Sequence, residues 1–157
     1  GDAEAIRSAV LRSVELKAGV VSADEREDGP RQVLNFGHTL GHALEAASSY
    51  GMGHGSAVAA GMVLEARVGE RIGVTQEGTA ARVAEVLGAF GLGNTPPTAR
   101  VPALLEYLGT DKKARQGEAR FVLLARVGEV ARSGDAWSHR VPLAVVEEVL
   151  AAAALRA

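Results

Sequence analysis

The chain has 157 residues, of which 47% are hydrophobic and 23% charged, and its formal net charge is -2. That length suits one domain with a real core, and the near-neutral charge gives no support for a polyanion-binding surface. Cysteine is absent, so disulfides and thiolate metal sites are excluded, and any metal must be held by histidine and carboxylate.

No stretch reaches the roughly 18 consecutive apolar residues of a membrane span. The opening GDAEAIRSAV is unlike a signal peptide, so a cytoplasmic protein is expected. The opening also enters a helical pattern without a starting Met, as a segment of a longer chain would.

From Ala3 to Val21, Ile6, Val10, Val14 and Val21 recur at helical spacing, with Arg7, Arg12, Glu15 and Lys17 among them. This predicts an amphipathic helix. SADEREDGP, Ser22 to Pro30, gathers charge and turn formers and reads as a loop, followed by the strand-like run QVLN. A second helix is predicted from about Phe36 to Ser48, broken by SSYGMGHG with its three glycines. The third, about Ser56 to Gly73, is rich in small residues that permit close backbone approach, so it should be central and buried. A fourth runs from Thr75, as N-cap, to about Phe90, closed by Gly91.

After the turn-rich GNTPPTARVP comes a short helix around Val101 to Leu108. Phe121 to Leu124 and Val127 to Ala131 are β-prone runs around an Arg126 to Glu129 turn, which predicts one small hairpin. The last helix is predicted from Val141 to Leu155, with Pro142 in its first turn. The expected architecture is mainly α with one small β-hairpin, a single domain without internal repeats.

Three of the four histidines, His38, His42 and His54, fall within 17 residues. His38 and His42 are neighbours on one helix face, with Cβ atoms roughly 5–6 Å apart, a spacing that suits two ligands on one metal. The general-base Glu of the HExxH metalloprotease motif is missing, since Thr39 follows the first His. His54, in a glycine-flanked turn at the start of the third helix, could point back at the second. Spacing alone leaves open which two histidines would bind a metal.

The cations are the second clue. Lys17 lies near the apolar side of its helix, Arg31 follows a Gly-Pro turn, and Lys112 and Lys113 follow Asp111 after a helix end. Several cations beside an imidazole cluster suit a small anionic substrate held next to a metal. The glycine patterns form no dinucleotide-binding fingerprint, nucleophile elbow or P-loop.

The segments ELKAGVVSADEREDGPRQVLNFGHTLGHALE and HGSAVAAGMVLEARVGERIG, with the later DKK, resemble the C-terminal half of the 3-dehydroquinate synthase family of sugar-phosphate cyclases. The resemblance runs from about Val14 to Ser133. It implies a helical metal- and substrate-binding domain joined to an N-terminal NAD-binding domain absent from this chain. The activity it implies is conversion of a seven-carbon keto-acid sugar phosphate (DAHP) into 3-dehydroquinate and phosphate, in the shikimate pathway of aromatic amino-acid biosynthesis. NAD would serve catalytically, with a divalent metal, zinc or cobalt, as Lewis acid. By the same resemblance His38 and His54 match metal ligands, and His42 a substrate contact. Lys17, Arg31, Asn35 and one of Lys112 and Lys113 match further substrate-binding positions, with Lys17, Asn35 and His42 in catalytic roles.

Members of the family form homodimers, and neither nucleic acid nor membrane is an expected partner. Two departures stand out. The third metal ligand of the family, a glutamate, lies upstream of the segment matched here, and Ser56 stands where a Glu often follows the His-Gly pair. Alternatives are another cyclase such as 2-deoxy-scyllo-inosose synthase, a metal-dependent alcohol or glycerol dehydrogenase of shared fold, and a non-catalytic helical module that retains the motif.

Overall fold

The structure, a computed structural model, describes residues 2–48, 51–92, 101–110 and 117–154. They fall into two units, Gly1–Leu34 and Asn35–Ala157.

The first unit is α1 (Ala3–Ala23), a loop and the start of a 3-10 helix (Pro30–Asn35). Asp2 caps α1, its Oδ1 accepting from the backbone N–H groups of Glu4 and Ala5 at 3.0 and 3.2 Å. No α1 residue is buried, and Ile6, Val10, Leu11, Val14 and Leu16 are exposed. The Asp24 carboxylate organises the loop by accepting N–H bonds from Asp28, Gly29 and Arg31. Desolvation would raise its pKa, but these backbone donors together outweigh it and leave the group below the usual carboxylate range. The run QVLN, expected to be strand-like, lies in the 3-10 helix instead. Pro30 fixes a helical φ at its first position, and the Arg31 N–H that follows is satisfied by Asp24.

The second unit holds α2 (His38–Ala47), α3 (His54–Arg71), α4 (Thr79–Ala89), α5 (Val101–Thr110) and α6 (Leu143–Ala154). As the small residues imply, α3 is central, burying Ala57, Ala60, Gly61, Leu64, Val68 and Gly69, and it packs on α2, α4 and α6. The main core joins Leu40 and Leu44 of α2 to Leu64 and Val68 of α3, Leu104 of α5, and Val146 and Leu150 of α6. Among the described residues no helix is long and apolar enough to cross a membrane.

Three boundaries differ from expectation. Helix α3 starts at His54, so Gly55 is helical. Helix α4 starts at Thr79, with Gly78 as its left-handed N-cap. Thr75 does not cap it: its hydroxyl donates to the Leu124 carbonyl at 2.6 Å, and Gln76 N–H donates to the Ala125 carbonyl.

Among the described residues the expected hairpin is present, and a second antiparallel pair lies beside it in sequence. The hairpin pairs β2 (Leu124–Arg126) with β3 (Glu129–Val130) around Gly128 at φ 86, tied by an Arg126–Glu129 ion pair at 2.9 Å. Phe121 belongs to β1 (Glu118–Phe121), which pairs with β4 (His139–Pro142), Ala119 opposite Val141 and Phe121 opposite His139. Val141 and Pro142 are therefore strand, and α6 begins at Leu143. A residue preceding proline is disfavoured in α conformation, and Val141 is β-branched and fully buried in the core.

Candidate metal centre

The site is built where α2 meets α3. Gly37, the N-cap of α2, has no side chain to satisfy the first helical N–H groups and sits at φ 84. Glu65 of α3 does so from below: Oε2 accepts from Gly37 N–H at 2.7 Å and Oε1 from Leu40 N–H at 2.9 Å. Burial dominates this carboxyl and pushes its pKa up to about 8, against the opposing pull of the backbone donors Leu40, Gly37 and Thr39. The helices touch through backbone. A Cβ on Gly61 would overlap the Gly37 carbonyl oxygen and come within 2.7 Å of the Gly41 nitrogen.

This contact brings three imidazoles together. Ring centroids are 5.5 Å apart for His38 and His42, 5.6 Å for His38 and His54, and 5.9 Å for His42 and His54. Glu45, one turn beyond His42 on α2, joins them, its Oε2 2.9 Å from His54 Nδ1. One ligand atom each from His42, Glu45 and His54 lie within 4.8 Å of one another, a donor set of the chemistry that could hold a divalent cation.

The rings differ in what their nitrogens touch. His38 Nδ1 lies 3.4 Å from the Phe36 carbonyl oxygen, and His54 Nδ1 faces Glu45. An oxygen at Nδ1 leaves Nε2 with the ligating lone pair, as is usual for metal-bound histidine. Among the described residues His42 has ring contacts only and is exposed.

Of the other expected site residues, Asn35 closes the 3-10 helix three positions before His38 and is half-buried. Lys17 and Arg31 belong to the first unit. There Lys17 is exposed on α1, while Arg31 donates to the Glu25 carbonyl at 2.7 Å, its Nε lying 3.9 Å from Glu27. Lys112 and Lys113 lie outside the described residues. Ser56 is half-buried on the first turn of α3. The fourth histidine, His139, is on β4, its Nε2 buried without a hydrogen-bond partner among the described residues.

Two carboxylates were missed by sequence reasoning. Glu45 carried a usable signal, standing three residues after His42 and seven after His38 on one helix face. Glu65 carried a weaker one, a single acidic residue in the apolar run GMVLEA.

The family model 3-dehydroquinate synthase C-terminal matches residues 1–114. The chain is 48% identical over 129 residues to 3-dehydroquinate synthase of Pelobacter propionicus, covering 82% of this chain and 36% of that protein. It is 44% identical over 149 residues to that of Halorhodospira halophila, covering 94% and 42%. The chain thus spans about two fifths of these relatives' length. Among solved structures, 2-deoxy-scyllo-inosose synthase complexed with carbaglucose-6-phosphate, NAD+ and Co2+ superposes with TM-score 0.80 at 27% identity, over 87% of this chain and 39% of that one. The fold is also that of 2-epi-5-epi-valiolone synthase from Streptomyces hygroscopicus, with TM-score 0.78 at 22% identity over 99% of this chain and 42% of that one.

Proposed function

Given that this chain belongs to the 3-dehydroquinate synthase C-terminal family, we propose that it supplies the metal- and substrate-binding part of an enzyme that converts DAHP into 3-dehydroquinate and phosphate. The observation that carries this proposal is the meeting of the two imidazoles of the motif NFGHTLGHALE on α2 with that of His54 at the start of α3.

In this reading His38 and His54 hold a divalent ion through Nε2, joined by a carboxylate from a segment outside this chain. When bound, the ion supplies Lewis-acid polarisation of a substrate oxygen. The ring of His42 and the amide of Asn35 hydrogen-bond the substrate's hydroxyls, and His42 serves as the proton carrier. Lys17, Arg31 and a lysine of the 112–113 pair neutralise its carboxylate and phosphate, since a substrate with two anionic groups needs several charged donors.

NAD belongs to a further domain, also outside this chain. The overall change is oxidation of one hydroxyl, elimination of phosphate, return of the hydride to the ketone, ring opening and intramolecular aldol closure. No NADH accumulates. In the cell the protein is a cytoplasmic homodimer acting in the shikimate pathway, and this chain alone is inactive.

A second reading is favoured by the likeness to 2-deoxy-scyllo-inosose synthase: a cyclase acting on a hexose phosphate that lacks a carboxylate. Phosphate release by the intact protein separates the two, with turnover of DAHP and none of glucose 6-phosphate expected. Preference for glucose 6-phosphate would establish the second reading, and net NADH production on glycerol would sink both.

A further inference from the structure

Glu45 has no part in the function proposed above, yet its Oε2 lies 2.9 Å from His54 Nδ1. The chain between them is closely tied. Ser48 Oγ donates to the Glu45 carbonyl at 2.9 Å and accepts from Met52 N–H at 3.2 Å, while Gly51 N–H donates to the Ser48 carbonyl at 3.0 Å. These bonds lead from the end of α2 to the first residue of α3, so Glu45 and His54 are set against each other by backbone.

The geometry points to Glu45 as a positioning residue that binds the Nδ1–H of His54, fixes that tautomer and presents Nε2 as the ligating nitrogen. This rests on the reading of His54 as a metal ligand. Two observations favour positioning over direct ligation. Ligands about 2.0–2.2 Å from a tetrahedral zinc stand about 3.3–3.5 Å apart. The observed 2.9 Å is shorter, and is the ordinary length of a charge-assisted hydrogen bond. Burial also fits: the Glu45 side chain is 16% exposed and that of His54 58%. The better-fixed partner orients the freer one. A pair this exposed adds little to stability, so its consequence is orientation.

The test compares E45A and E45Q with wild type in the intact protein. Zinc affinity is measured by chelator competition and the His54 tautomer by long-range nitrogen–proton NMR of the metal-free protein. E45A should weaken zinc binding about 10–100-fold and release the ring from its Nδ1–H form, with the melting temperature close to wild type. E45Q, whose side-chain oxygen still accepts from Nδ1–H, should recover much of both.

Wild-type affinity and tautomer in E45A would overturn the assignment. So would E45Q failing as completely as E45A, with X-ray absorption showing one oxygen lost from the zinc, because Glu45 would then be a ligand. H54A acts as the separate control: if it keeps its full metal content, the functional reading itself is wrong. A wild-type His54 ring protonated at Nε2 would refute the Glu45 role alone.

Discussion

At the scale of single residues, the division of labour proposed for the histidines makes each ring separately testable. His38 and His54 each have an oxygen at Nδ1, and His42 has none among the described residues. Replacing His38 or His54 by Ala should therefore strip most of the bound metal. H42A should keep metal near the wild-type level and lower turnover by about 10²–10⁴-fold, the usual contribution of a positioned proton carrier. Metal analysis beside a phosphate-release assay checks this. If H42A lost the metal and H38A kept it, the donors would be the alternative set of His42, Glu45 and His54. The pairing of His38 with His42 was legible from the sequence, because i, i+4 spacing puts them on one helix face, whereas His54 joins them only through the packing of α3 on α2. The roles were not legible from spacing, which leaves open which rings would hold a metal; they came only from the resemblance, and the contacts to Phe36 O and Glu45 are made by folding.

At the scale of elements, Glu65 couples the histidine helix to pH. Its carboxyl ionises at about 8 in the folded chain against an ordinary 4.5. Between those values the folded state keeps a proton that the unfolded state has released, so stability is greatest at the acid end and falls as pH rises through the window. The expected loss is a few kcal/mol at most, level above about pH 8. E65Q should flatten this slope, as urea unfolding across the range would show. An equal slope in E65Q would assign the effect to other groups. Helix positions were readable from periodicity to within a few residues, with the start of α4 the largest miss. The strands were less so: Val141 and Pro142 satisfy a helix start as well as a strand end, and only pairing with Glu118 and Ala119 decides it.

At the scale of the whole molecule, the buried hydrophobic clusters draw on residues from Phe36 onward, and α1 buries none of its own. The second unit should accordingly fold without the first. A chain beginning at Asn35 should melt cooperatively within a few degrees of the 157-residue chain, with a circular dichroism loss matching α1; failure to melt cooperatively would show that the first unit supports the core. The contact of Gly61 with Gly37 and Gly41 has its own consequence for the site. Where Gly61 rests on the backbone of Gly37 and Gly41, the helices are already at closest approach, and any side chain larger than hydrogen at Gly61 would push them apart. The spacing between the histidine helices then acts as a fixed gauge, so that ions of different radius, if the site binds them, would be accommodated by tilting the rings rather than by sliding the helices.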